Sequence, residues 1–234
     1  MKQIKGIYLP DSDTHFEYHL MQGPEFEGAG TYQYKKIKKA LDVVNASEAH
    51  REKWCAVDVG AHVGLWSRIL GHHFLHTYSF EPVPEMYECL LKNIERCPNA
   101  VHPSRRAITS AKGGVIVMNT VPDNTGNAHV RPILKGGIIN DEHPVVPSST
   151  LDDLFTGPIN FLKLDVEGYE LEVLRGADRI LAEEKPIIVL EQKSGNAERY
   201  GWKQYDALNY LKQRGYEPVW EMSGDFCVKH STTT

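Results

Sequence analysis

From residue 54 to residue 215, short apolar runs alternate with stretches of helical apolar spacing. Few folds satisfy that rhythm, because repeated strand–helix units bury their strands in a mostly parallel sheet covered by helices on both faces. Residues 54–59 are apolar apart from Asp58 and close at Gly60, after which Leu65, Trp66, Ile69 and Leu70 recur at helical spacing. Residues 77–80 end at Glu81-Pro82. Met86, Leu90 and Ile94 follow at four-residue intervals behind Pro84, whose missing N–H suits a first helical turn. Residues 160–164 and 186–190 read as further buried strands, with Leu171, Leu174, Ala177 and Leu181 on one helical face between them. Leu208 and Leu211 lead to a C-cap at Gly215, and residues 219–222 and 226–228 predict an antiparallel hairpin around Ser223-Gly224. The expected fold is α/β and Rossmann-like: a mostly parallel sheet, helices on both faces, and an antiparallel C-terminal hairpin.

The rest of the chain sets the boundaries. Residues 1–30 are polar, glycine-punctuated and weakly periodic, and are expected to form an N-terminal extension before a single domain over 31–234. Ile37, Leu41 and Val44 mark an amphipathic helix whose lysines at 35, 36, 38 and 39 read as a solvated face. Residues 113–150 break the rhythm with glycines and prolines, and read as an insertion over the C-terminal ends of the strands, where open α/β sheets bind ligands. With 41% apolar and 24% charged residues, a wholly disordered chain is excluded. A net charge of −5 argues against broad nucleic-acid binding, which calls for a basic face. Cys55, Cys89, Cys97 and Cys227 show neither CxxC nor zinc-ligand spacing, the usage of reduced thiols in a cytoplasmic protein. The first residues lack the apolar core of a signal peptide, and no run reaches the ~20 apolar residues of a membrane span.

The segment from Val57 to Gly64 is a strand, a glycine turn and a helix start. A dinucleotide fingerprint, GxGxxG, would put its second glycine where His62 stands, and that glycine lets backbone approach a pyrophosphate. A nicotinamide cofactor therefore fits poorly, whereas one without phosphates tolerates His62. Glu81 ends the second strand about 20 residues further on, where a carboxylate can accept both ribose hydroxyls. These features favour S-adenosylmethionine, with Gly60, Ala61, His62 and Gly64 near its methionine portion and Glu81 at its ribose. Asp58 can offset the cofactor's positive charges; organising the loop by accepting backbone N–H bonds is the alternative, and the two roles are compatible.

The strand expected over residues 160–164 carries Lys163 and leads into Asp165 and Glu167, which regular alternation places on one side. Three ionisable groups facing the same way mark a polar strand mouth, or else a buried Lys–carboxylate network that only holds the turn. Asp165, Glu167 and Glu191 can gather a hard cation, but nothing in their spacing assigns a metal.

The motifs VDVGAHVG, FEP with a following helix ending KNI, DNTGN, STLDDL, FLKLDVEGYELEVLRGA and IIVLEQK occur in that order over roughly residues 54–193. In these the chain resembles the FkbM family of S-adenosylmethionine-dependent methyltransferases; His62 stands where asparagine is common in that family. The resemblance implies a class I methyltransferase fold and O-methylation of a hydroxyl, often on a sugar or natural product. It implies that Asp58, Gly60, Gly64 and Glu81 hold the cofactor, that Ala107 and Ile108 lie near adenine, and that Asp165 lies near the transferred methyl. Asp165 is then the candidate base, kept ionised by Lys163, with Glu167 orienting the acceptor and His129 the alternative base. Asn124, Asn127 and His129 carry groups able to orient a polyhydroxyl acceptor, a small molecule or glycan, although the same run suits a plain turn. Other readings stay open: a non-catalytic cofactor-binding or interaction protein, or a nicotinamide-dependent oxidoreductase on a related sheet. A nucleic-acid amino-methyltransferase would carry an Asn-Pro-Pro-Tyr-like turn where this chain has Asp165-Val166-Glu167-Gly168.

Overall fold

The apolar runs become the strands of one sheet in the computed structural model, which describes residues 1–50, 52–111, 113–121, 124–131 and 143–233. These strands are β1 (Cys55–Val59), β2 (His76–Phe80), β3 (Ala100–Ser104), β4 (Phe161–Leu164), β5 (Ile187–Glu191), β6 (Tyr216–Met222) and β7 (Asp225–His230). They lie in the order β6-β7-β5-β4-β1-β2-β3. β1 to β5 run parallel, and β7 and β6 close the edge as an antiparallel hairpin. The strand order reverses between β1 and β4, the switch point at which such sheets open a crevice beyond their C-terminal ends.

Period-two alternation sends successive side chains to opposite faces, and both faces are covered. Val57, Val59, Leu162, Leu164, Ile188 and Leu190 pack on one side against α6 (Glu170–Arg175), α7 (Asp178–Glu183) and α8 (Asp206–Lys212). Ala56, Phe161, Ile187 and Val189 pack on the other against α2 (Tyr34–Ala46) and α3 (Leu65–His73). The single helical face expected over 171–181 is divided between α6 and α7. Gly176 sits so close to the Thr109 carbonyl that a Cβ there would lie 2.2 Å from its oxygen. A new helix then starts on the carboxylate of Asp152 in α5 (Leu151–Leu154), which accepts from the N–H groups of Arg179 and Ile180 at 2.9 and 3.1 Å. Lys36 departs from the expected solvated face: it is buried, and its Nζ lies 2.7 Å from Asp225 at the start of β7.

Two further pieces surround the crevice. Residues 1–30 form a hairpin (Lys2–Ile4 with Ile7–Leu9), α1 (His15–Gln22) and a second short hairpin. Their Ile7, Leu9, Phe16 and Leu20 are buried in one cluster with Val63, Leu65, Val83 and Met86, so this segment shares the core of the sheet domain. Gly114–Asn119, His129–Val130, Val145–Ser149 and Ala107–Ile108 pair as a separate small sheet. Positions 122–123 and 132–142 of the expected insertion lie outside the described residues. Among the described residues no helix is long and apolar enough to cross a membrane.

Candidate active site

A cavity of about 360 Å³ opens at the switch point. Its walls bring together the loop after β1 (Gly60, Ala61, His62), the end of β2 (Glu81), Ala107 and Ile108, Asn124 to Val130, the end of β4 (Lys163, Asp165, Glu167) and Glu191. His15, Phe16, Tyr32 and Gln33 close it from the N-terminal segment, and Lys193 from the turn after β5. The first four lie in no motif of the sequence, and Lys193 ends the IIVLEQK run. The apolar core that residues 1–30 and Tyr32 share with α3 and α4 (Pro84–Ile94) brings this segment to the cavity, where Gln33 Oε1 accepts from Trp66 Nε1 at 3.0 Å.

Two residues expected at the cofactor lie behind the cavity wall. Asp58 is fully buried and does not line the cavity. Strand register sets it beside Lys163, whose Nζ lies 3.0 Å away, and Ser67 Oγ donates to it at 2.6 Å. It belongs to a buried ion pair under the loop. Gly64 faces α4: a Cβ there would lie 2.6 Å from Leu90, so this glycine serves close helix packing. Gly60 lines the cavity, but its missing side chain is demanded by protein as well, since a Cβ would lie 1.9 Å from the Asp165 carbonyl oxygen.

The Lys163 Nζ, buried between strands, donates to the Gly60 carbonyl at 2.6 Å and lies 3.8 Å from Asp165. Burial works against its charge, yet Asp58 and Asp165 outweigh this and hold its pKa above the ordinary lysine value. β4 stops at Leu164, so Glu167 reaches the cavity by a turn with left-handed backbone, φ +55°, and not by strand alternation. Asp165, Glu167 and Glu191 have carboxylate oxygens within 4.8 Å of one another. Asn196 Nδ2 bridges Glu167 and Glu191 at 2.9 and 3.1 Å, and Lys193 pairs with Glu191. Burial and the neighbouring carboxylates push both glutamates above the usual range.

Glu81 faces the cavity with a double duty. Its two oxygens accept the backbone N–H groups of His62 and Val83, each at 2.8 Å, which ties the glycine loop to the end of β2. Burial pushes its pKa up to about 7. Each oxygen keeps a second lone pair for a ligand hydroxyl. Opposite, both ring nitrogens of His129 are engaged: Nδ1 with the Asn127 carbonyl at 2.8 Å and Nε2 with Asn119 Nδ2 at 3.2 Å. A carbonyl only accepts, so Nδ1 carries the proton and Nε2 accepts from the amide, leaving no free lone pair for a base. His62 occupies the place of a fingerprint glycine with φ +51°, and its ring packs on Phe16 at 4.6 Å.

Residues 58–218 match the model of the methyltransferase FkbM domain. The chain belongs to the FkbM methyltransferase family. It is 28% identical over 139 residues to hexuronic acid methyltransferase AglP of Haloferax volcanii, covering 56% of this chain and 53% of that protein. It is 26% identical over 156 residues to methyltransferase sdnD of Sordaria araneosa, covering 52% of this chain and 60% of that one. The chain thus spans little more than half the length of the curated relatives it matches. The structure of methyltransferase FkbM from Methylobacillus flagellatus KT superimposes with a TM-score of 0.48 at 17% identity, covering 76% of this chain and 43% of that one. In this FkbM chain, residues of the VDVGAHVG, FEP, DNTGN, FLKLDVEGYE and IIVLEQK runs line one cavity, which His15, Phe16, Tyr32 and Gln33 close from the N-terminal side.

Proposed function

We propose that this FkbM-family chain transfers a methyl group from S-adenosylmethionine to a hydroxyl of a sugar, glycan or small natural product. The observation that carries the reading is the meeting of Glu81 and Asp165 in one cavity at the switch point. Glu81 would accept the ribose hydroxyls, Ala107 and Ile108 would flank the adenine, and the backbone of Gly60, Ala61 and His62 would lie along the methionine portion. The donor set suits a cofactor without phosphates, because the His62 ring stands where a pyrophosphate would need bare backbone. Bound there, S-adenosylmethionine supplies an electrophilic methyl group on a sulfonium. Asp165 would accept the proton of the attacking hydroxyl, which Glu167, Asn124 and Asn127 would orient, with His129 bracing the Asn127 carbonyl; Asp58 and Lys163 would hold the floor from behind. The hexuronic acid in the name of AglP supports a sugar acceptor. Four cysteines without disulfide partners support a cytoplasmic setting.

The test is mass spectrometry of sugars, glycans and metabolites after incubation with isotope-labelled S-adenosylmethionine. Gain of one labelled methyl on oxygen is the expected result; label on nitrogen, or none on any hydroxyl compound, overturns the reading.

Glu81→Ala should weaken S-adenosylmethionine binding at least tenfold, since it removes two charge-assisted hydrogen bonds of about 1.5–3 kcal/mol each and tenfold needs only about 1.4. Because burial pushes the Glu81 carboxyl up to about 7, wild-type affinity should also weaken as the pH falls below that value and the carboxylate gains a proton. Calorimetry at pH 6 and pH 8 checks both; unchanged affinity in a folded Glu81→Ala protein removes the assignment. Asn127, exposed at the cavity mouth, faces the acceptor side in this reading. Asn127→Ala should lower turnover several-fold while leaving cofactor affinity within twofold. Equal losses in steady-state kinetics and calorimetry would mark a turn defect instead.

A further inference from the structure

Three segments distant in sequence meet at one buried hydrogen-bonded chain. Asp13, fully buried before α1, accepts the Phe16 N–H on Oδ1 at 2.7 Å and the Thr125 N–H on Oδ2 at 3.1 Å. The Thr125 hydroxyl also contacts Oδ2 of Asp13. On its other side Thr125 Oγ1 lies 2.7 Å from His62 Nε2.

The direction of each bond follows from the donor inventory. Asp13 receives both amide bonds as a carboxylate, so the single hydroxyl proton of Thr125 goes to it, and the Thr125 oxygen is left to accept. Nε2 of His62 must then carry the ring proton. Burial holds the His62 pKa down at about 4, so the ring is neutral at pH 7 and Nδ1 keeps a lone pair. That ring lines the cavity, and Nδ1 has no hydrogen-bond partner among the described residues.

We propose that Asp13 and Thr125 are positioning residues that hold His62 as its Nε2–H tautomer, making Nδ1 the hydrogen-bond acceptor for a hydroxyl of the methyl acceptor. The hydroxyl assignment rests on the proposed transferase reading; the tautomer does not. The main chain of His62 is tied to Glu81 on the cofactor side, whereas its ring leans on Phe16 and Thr125, the facing wall. The role is orientation of the hydroxyl, with proton removal left to Asp165.

Two measurements test this. Nitrogen-15 spectra of histidine-labelled protein should show His62 neutral, protonated at Nε2 and bare at Nδ1. Thr125→Ser should preserve that pattern, and Thr125→Val or Asp13→Asn should shift it toward a tautomer mixture. An Nδ1–H tautomer in the wild type, or an unchanged pattern in a folded Thr125→Val protein, overturns the relay. The second measurement uses methyl β-D-glucuronoside as probe, titrated into protein saturated with S-adenosylhomocysteine. Binding should move the Nδ1 resonance, and His62→Asn should weaken probe binding at least tenfold with S-adenosylhomocysteine affinity within twofold; asparagine tolerates the left-handed backbone. An unmoved resonance on binding, or loss of S-adenosylhomocysteine affinity in its place, overturns the acceptor assignment. Failure of this hexuronic acid probe to bind at all counts against the sugar-acceptor reading while the tautomer result still decides the relay.

Discussion

Asp165→Asn is expected to cut the single-turnover rate about 10²–10⁴-fold, the usual range for loss of a general base. A sugar hydroxyl is a poor nucleophile, so methyl transfer gains from a base that takes its proton as the new bond forms. Asp165 combines cavity access, with a side chain 28% exposed, and a rigid mount. Its N–H donates to Val59 at 3.1 Å, and its carbonyl packs directly on Gly60. Asparagine matches the side chain in shape, so the mount should survive the change. Glu167→Gln should cost less, because that carboxylate is more deeply buried and already accepts from Asn196. His129 is the weaker candidate base, with both ring nitrogens committed to protein partners. Rapid-quench measurement at saturating cofactor decides between them. Near-wild-type chemistry in Asp165→Asn removes it as base, and a matched loss of thermal stability in Asp165→Asn and Glu167→Gln would favour a structural network.

Lys163→Met should destabilise the fold by about 3–5 kcal/mol, the cost of stripping the partner from a buried charge. Asp58 has no exposed surface, and beyond Lys163 its polar neighbour is the Ser67 hydroxyl. Methionine fills much of the lysine stem's volume, so the loss reads the missing charge more than a cavity. In a domain of this size that corresponds to a fall in Tm of about 6–20 °C. The double variant Lys163→Met with Asp58→Asn should recover part of it, because the stranded carboxylate is gone. A loss below about 1 kcal/mol in Lys163→Met, measured by denaturant titration, would show that the pair contributes little here.

Much of the fold was legible in the residues because strand and helix periodicities are local properties. The runs at 54–59, 77–80, 160–164 and 186–190 each lie within one or two residues of a strand, and the turn at Ser223-Gly224 joins β6 to β7. Glu81 and Asp165 were readable as strand-end groups for the same reason: a strand that stops at a known residue puts the next one at the sheet's edge.

Local pattern alone carries the layered α/β architecture, the closing hairpin and the strand ends that bear Glu81 and Asp165. Packing in three dimensions set the rest: Asp58 turns to Lys163, Gly64 faces Leu90, Gly176 divides a helix against Thr109, Asp13 meets Thr125, and Phe16 and Tyr32 reach the cavity. Each of these depends on a partner far away in the chain. Side-chain periodicity reports which face of an element is apolar, but not which distant carbonyl, methyl or ammonium group packing will press against it.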